Sequence, residues 1–595
     1  MLAPIQVEAD AIVPPNTTTL SQEKLSQQGS GAFAQGALKK QAGINVVQTA
    51  GPGSLTSSSI RGLHANHTLV TLYGVPLNTS SLAGQHNLFA YFPTEFISSL
   101  EIIRGAQGVI WGPHGMGGVV KLNPIMKDQN GISGVAEGGS FGTFKTASTY
   151  GIQSENTQFF AGVHHFQTDG LNGVQDGPKY GERNRYRQEN VLISGTQTVT
   201  ETFQVAGFAH GMRSENIFDN SAFDPGVQKG KGTTDDLLIG VRADHDGLSG
   251  LIQQSVTVSQ HDMLAKQKEA GYSTRTKAHT FYGRYENRIE WHEGQITTIG
   301  GTLDQESLKV FGAKNRDVHS KALFGSHESI VKFLTLTGGI RVHDHGRFGS
   351  RTLYKLGAAV THTLSSMTAT LFSHFGTGFR PPTLSDLFSK TLFSKPNPSL
   401  RPETNKMIDA GVEFKKQTPW PIKIGITVFQ NRSKNLISSR SIQGKFMPIN
   451  IGKARSRGTE STLSISPLNS LTFEGTHTYT RAKDKTPNAP DNGIILRQPK
   501  HQLSGTVIVT PRDNVSTFTS VTHTTKRSDR DFSTGQLVKL KPYTVVSAGG
   551  SYRVTPSTKI FVRLENMFNK NYTQVHRYAT PPRGIYGGLK WTQNP

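Results

Sequence analysis

The sequence predicts an all-β fold: an antiparallel transmembrane β-barrel of about 22 strands, its lumen filled by a small N-terminal α/β plug domain. Three observations carry this. From residue 131 onward apolar residues recur at every second position, and long helical periodicity is missing. No window approaches the ~18 uninterrupted apolar residues of a membrane-spanning helix, whereas a barrel strand needs an apolar residue only at alternate positions. Composition also departs from that of a soluble domain: of 595 residues 18% are charged, 34% are hydrophobic and 63 are glycine. Soluble domains carry roughly 25% charge. The 31 Phe, 15 Tyr and 4 Trp are spread along the chain, which argues against disorder.

Taken in order, residues 1–10 form a leader. Pro4, Ile5, Gln6, Val7, Glu8 and Ala9 make one β-capable patch ahead of Pro14-Pro15-Asn16 and a threonine run. The leader has neither a basic n-region nor an apolar h-region, so a secretory signal has either been removed or precedes the given start. Residues 11–126 have a mixed α/β texture. Here residues 33–40 predict a short helix ended by Gly43, residues 68–73 an apolar strand ending at Gly74, and residues 101–104 and 119–122 two more strands. Residues 127–595 then alternate. Leu334, Leu336, Gly338, Ile340 and Val342 share one face, with Thr335, Thr337, Gly339, Arg341 and His343 on the other. Val256 and Val258 repeat the pattern, as do Ile560, Val562 and Leu564. A soluble sandwich also alternates, but one this long without a domain break is not expected.

Zero cysteines exclude disulfides, thiolate metal sites and cysteine nucleophiles. The net charge of +22 comes from scattered rather than clustered basic residues, which points to anionic lipopolysaccharide or phospholipid headgroups as neighbours and not to nucleic acid. No carboxylate pair stands in a setting suited to sugar hydrolysis, and no HExxH spacing occurs, so no enzyme is expected.

The motifs add a family. Ser59-Ile60-Arg61-Gly62 followed by Leu69-Val70-Thr71-Leu72-Tyr73-Gly74 resembles the plug of TonB-dependent outer-membrane transporters, as does Ser99-Leu100-Glu101-Ile102-Ile103-Arg104-Gly105 running into Trp111-Gly112. In the barrel half, Gly378-Phe379-Arg380-Pro381-Pro382, Asn397-Pro398-Ser399-Leu400-Arg401-Pro402-Glu403 and Leu564-Glu565-Asn566-Met567-Phe568 follow in the family's order. The layout looks most like the cobalamin (corrinoid) branch.

The resemblance implies a ligand-gated active transporter acting as a monomer. Its leader would serve as a TonB box that adds as a strand to the energy-transducing inner-membrane TonB protein. It implies a latch in which plug cations Arg61 and Arg104 pair with wall acids Asp409 and Glu460. Substrate would meet the plug apex at residues 51–59 and 79–89, where Leu55, Thr56, Ser81, Leu82, His86 and Asn87 are the candidate contacts. A corrinoid is the first expectation and a ferric siderophore the second; a passive porin or adhesin would need neither leader nor plug. Corrinoid transporters carry acid-rich calcium loops. The corresponding stretches here, residues 169–189 and 219–236, hold fewer acids, with Asp235-Asp236 the remaining calcium candidate. No histidine lies between Arg380 and Asn397, which argues against haem.

Overall fold

A computed structural model describes residues 16–29, 31–78, 91–124, 130–174, 183–219, 229–269, 272–310, 314–391, 394–417, 419–442, 445–487, 489–531 and 533–593. The leader residues Pro4 to Ala9, and with them Ser81, Leu82, His86 and Asn87, lie outside the described residues.

Twenty-two strands, from Gly131–Gly139 to Gly584–Gln593, close into one antiparallel barrel. Each strand pairs with its neighbours in the chain, and a small hairpin (Arg527–Arg530 with Leu537–Leu540) is inserted in one connection. The cylinder is closed by a seam of eight residue pairs between the last strand and the first. One rim carries tight turns such as residues 201–202, 293–294, 332–333 and 365–366. The other carries long connections such as 381–402, 525–542 and 566–583.

The alternation read from the sequence is an inside-out pattern. Leu336, Ile340 and Val342 are each 47% exposed, whereas Arg341 and His343 between them are buried. Val256, Val258, Ile560 and Val562 are likewise exposed. Apolar side chains on the outside and polar ones within are what a hydrocarbon surround selects.

Inside lies the plug. Its strands are β1 (Thr17–Ser21), β2 (Ile44–Gln48), β3 (Thr56–Ile60), β4 (Thr68–Leu72), β5 (Val75–Pro76), β6 (Ile97–Arg104) and β7 (Gly118–Pro124). Its helices are α1 (Gln22–Gln27), α2 (Gln35–Leu38) and α3 (Gly108–Trp111). The main sheet runs β1-β6-β7-β4-β5 with β4 and β7 parallel, and β2-β3 forms a separate hairpin. The helix expected at residues 33–40 is cut to α2 because Phe33 instead bridges to Pro93 and packs edge-on to Phe166 of the wall. Thr-Ser-Ser-Ser-Ile offers little apolar signal, and its pairing with β2 makes it the strand β3 that ends before Arg61. The core of Leu20, Leu38, Ile60, Leu72, Phe96 and Leu100 is continuous with wall residues Phe160, Leu192 and Leu238. Plug and wall therefore share one apolar cluster.

Candidate functional site

β3 ends at Ile60, and Arg61 then adopts a left-handed backbone (φ 53°) ahead of Gly62 (φ 72°). This reversal aims the Arg61 side chain at three adjacent wall strands, Glu403–Lys416, Ile422–Ile442 and Lys445–Leu468. Its Nε and Nη2 donate to the two oxygens of Glu460, both at 2.8 Å, and Nη1 donates to Asp409 at 2.7 Å. The guanidinium lies 5.1 Å from the centre of the Phe429 ring. The main chain is held too: the Arg61 carbonyl accepts from Ser456 Oγ at 2.6 Å, and its N–H donates to the Gly43 carbonyl at 2.8 Å. All three charged side chains are buried. Burial alone would lower the Arg61 pKa, but the Glu460 and Asp409 carboxylates outweigh it and hold it above the ordinary arginine value. A planar fork matched to a carboxylate gives geometric specificity as well as attraction. Taking both charges out of water offsets most of that attraction, so the junction fixes register more than it adds stability.

The latch differs from the expected two-by-two arrangement at Arg104. At the end of β6, this residue donates Nε to the Ala42 carbonyl at 2.8 Å, and Nη1 to the Asn16 carbonyl at 3.1 Å and Thr18 Oγ1 at 2.9 Å. Among the described residues it makes no hydrogen bond with a wall carboxylate. Arg61 already occupies both oxygens of Glu460 and one of Asp409, and His374 Nδ1 lies 2.9 Å from the other Asp409 oxygen. Burial lowers the Arg104 pKa to about 10, with Glu460 opposing. Arg104 thus clamps the start of β1. Gly43 makes the crowding possible: a Cβ there would stand 2.0 Å from Glu460 Oε1.

Two further plug–wall ties were not read from the sequence. His67 accepts at Nδ1 from the His64 N–H (3.2 Å), so its Nε2 carries the proton and donates to Glu403 at 3.1 Å. Glu403 also pairs with Arg380 and accepts from the Ile437 N–H at 2.7 Å. Lys145 of the wall meets Glu95 of the plug at 2.8 Å and Glu137 at 3.2 Å. Arg380 and Glu403 stand inside quoted motifs, but nothing local in the sequence names His67 as their partner.

Of the candidate ligand contacts, Leu55 is 43% exposed at the β2-β3 tip, whereas Thr56 is buried with Oγ1 3.1 Å from the Tyr91 hydroxyl. A cavity of about 360 Å³ opens between the plug residue His114, the wall and the helix α4 (Leu384–Phe388) in a long connection. Arg316 and Arg347 both lie over the Phe388 ring there, at 4.6 and 5.2 Å. The calcium candidates do not fit an ion. Asp235 and Asp236 fall on opposite faces of the strand Lys229–Gly247, Asp235 3.6 Å from Arg213 and Asp236 2.8 Å from His261. Among the described residues no group of three or more His, Asp or Glu is placed to hold a metal.

Comparison with known proteins fits this architecture. The family "TonB dependent receptor-like, beta-barrel" matches residues 128–567, and "TonB-dependent Receptor Plug Domain" matches residues 11–119. The chain is 23% identical over 555 residues to the vitamin B12 transporter BtuB of Vibrio vulnificus, covering 91% of this chain and 85% of that protein. With BtuB of Photobacterium profundum the identity is 23% over 567 residues, covering 92% and 88%. A variant of the ferric enterobactin receptor PfeA of Pseudomonas aeruginosa superposes with a TM-score of 0.80 at 17% identity, covering 97% of this chain and 98% of that one. The copper transporter OprC gives 0.81 at 15% identity, covering 97% and 99%. A plugged barrel of twenty-two strands, matched by both family descriptions over most of its length, identifies the chain as a member of the TonB-dependent outer-membrane receptor family, ligand-gated transporters driven through TonB.

Proposed function

We propose that this protein imports a corrinoid across the outer membrane. The observation that carries the reading is the similarity to two vitamin B12 transporters along more than nine-tenths of the chain. Ligand enters from the rim of long connections and rests on the plug apex, where Leu55, Ser81, Leu82, His86 and Asn87 are its proposed contacts. The leader, Pro4 to Ala9, engages TonB by strand addition. Tension on it is transmitted first to Asn16 and Thr18, so the bonds from Arg104 and the edge pairing of β1 with β6 are the first to be strained. Release there uncovers one side of Glu460 and leaves Arg61, His67 and Glu95 as charged holds of the plug on the wall. The protein acts as a monomer.

A ferric siderophore is the second reading, favoured by one feature: the two guanidinium groups over Phe388 would suit an anionic chelate. Binding to the purified protein separates the two. At least about ten-fold preference for cyanocobalamin over ferric hydroxamate or catecholate, a difference of about 1.4 kcal/mol, is the expected result. Tight binding of an iron chelate with no corrinoid binding would replace the first reading by the second.

A further inference from the structure

Four cations stand in one row on the outer wall. Lys406 faces Arg432, Arg432 faces Arg455, and Arg455 faces Lys483, each directly opposite the next across four adjacent strands. One register step of two residues toward the long-connection rim, Lys434 faces Lys453; one step the other way, Arg457 faces Arg481. These are outward positions. Lys406, Arg432, Lys453, Arg457 and Arg481 are exposed, while Asn405, Asn431, Ala454 and Ser456 between them are buried. Of the acids of the same strands, Glu403, Asp409 and Glu460 sit at buried positions and are spent on Arg380 and Arg61, Glu413 pairs with Lys415 and Lys423, Glu474 pairs with Lys24, and Asp484 accepts from Thr486. Among the described residues none of the four has an ion-pair partner. Arg455 donates Nη2 to Gln430, and its Nε has no partner.

Like charges directly opposite on neighbouring strands are destabilising, and this wall repeats the arrangement in three successive rows. Such a surface is stable when an anion lies across it. The height of the row identifies the anion. On its short-turn side the same strands expose Ile408, Val412, Val428, Ile426 and Leu463, the belt that meets hydrocarbon. On its other side are the long connections, which in barrels of this kind face the cell exterior. Tyr479 stands just inside the belt edge, opposite Thr459, at the level where interfacial aromatic residues gather. We infer that the row Lys406–Arg432–Arg455–Lys483 is a docking site for the phosphate groups of an anionic glycolipid of the outer leaflet, with acyl chains lying along Ile408, Val428 and Leu463. Arginine forks bind phosphate bidentately, and flanking lysines add point charge. The inference rests on the outer-membrane placement and is independent of which ligand is carried.

Native mass spectrometry of the full-length protein in detergent, titrated with bis-phosphorylated lipid A or its dephosphorylated form, tests it. The test variant joins Lys406→Gln, Arg432→Gln, Arg455→Gln and Lys483→Gln. The control joins Arg213→Gln and Lys231→Gln, outer-wall cations that already have the acidic partners Asp235 and Glu215. Wild type and control should bind the bis-phosphorylated lipid, and the four-fold variant should bind it at least about ten-fold more weakly, with all three indifferent to the dephosphorylated form. Heat-modifiable migration of the variant confirms a folded barrel. Equal affinity of variant and wild type for the phosphorylated lipid would overturn the inference, as would wild type failing to distinguish the two lipids. Preferential binding of poly-glutamate would also overturn it, assigning the face to an acidic protein partner. Corrinoid binding measured on the same samples reports separately on the proposed function.

Discussion

Arg61→Leu removes three charge-assisted hydrogen bonds at once and leaves two acids buried at the plug–wall junction. Asp409 keeps His374, so its loss is partial. Glu460 loses both oxygen partners, and the nearest cation, Arg104, is turned toward Ala42, Asn16 and Thr18. Orphaning one buried charge costs about 3–5 kcal/mol, which corresponds to roughly a hundred- to several-thousand-fold shift in the equilibrium between docked and released plug. The barrel ladder is untouched, so gel migration of the unboiled protein should not change. Planar-bilayer conductance at rising urea is the assay, because a closed ladder with no free edge should outlast the docked plug. Conductance should begin at distinctly lower urea in Arg61→Leu, and amide exchange at residues 56–62 should accelerate. Glu460→Leu should have an effect of similar size, and the double variant should fall short of the sum by at least about 1 kcal/mol. Unchanged conductance onset together with strictly additive effects would refute the assignment of Arg61 and Glu460 as a coupled hold.

Gly43→Ala should weaken the same junction, since its Cβ would stand 2.0 Å from Glu460 Oε1 on a left-handed backbone; the urea onset of conductance checks this. Val7→Pro removes one main-chain donor and distorts its neighbours, so uptake should be abolished with ligand affinity intact, while Val7→Thr should be mild in the same transport assay. Acid should loosen the plug. Burial first, then His67 for His64 and Arg380 for His114, lowers these imidazoles from 6.5 to about 4 and about 3. The released plug therefore binds more protons in that window. Their contribution to docking is complete above about pH 6.5 and is lost as pH falls through about 4 for His64 and about 3 for His114, which the pH dependence of the urea onset will show.

The barrel was legible because its signal is periodic and local: every second residue meets lipid, so Leu336, Ile340 and Val342 declare their face without knowledge of any partner. The order and wording of the plug and barrel motifs singled out Arg61, Asp409 and Glu460. What the sequence could not convey is how two arginines divide two acids. That depends on Gly43 bringing main chain close to Glu460 and on the left-handed turn at Arg61, both of which are packing outcomes. The His67–Glu403 tie joins residues far apart in the chain, and a histidine in a polar loop carries no mark of its partner. The composition of β3 marks it only weakly for a related reason: Ser57, Ser58 and Ser59 take their strand form from β2 beside them.

The seam between Gly584–Gln593 and Gly131–Gly139 has a kinetic consequence. Every other rung of the wall can form as soon as the next strand of the chain is available, but the seam joins the two ends of the barrel sequence and must wait for all of them. Its closure therefore bears the largest loop entropy in the molecule and is the natural slow step of assembly. Until then the first and last strands are open edges, prone to pairing with a stranger. Five of the sixteen seam residues are glycines, with no side chains to add cross-strand attraction, so the last join to be made is also lightly held. The plug precedes the first strand in the chain and shares its apolar core with the wall, so it can template the curvature of the early strands and shorten the search by which the two edges meet.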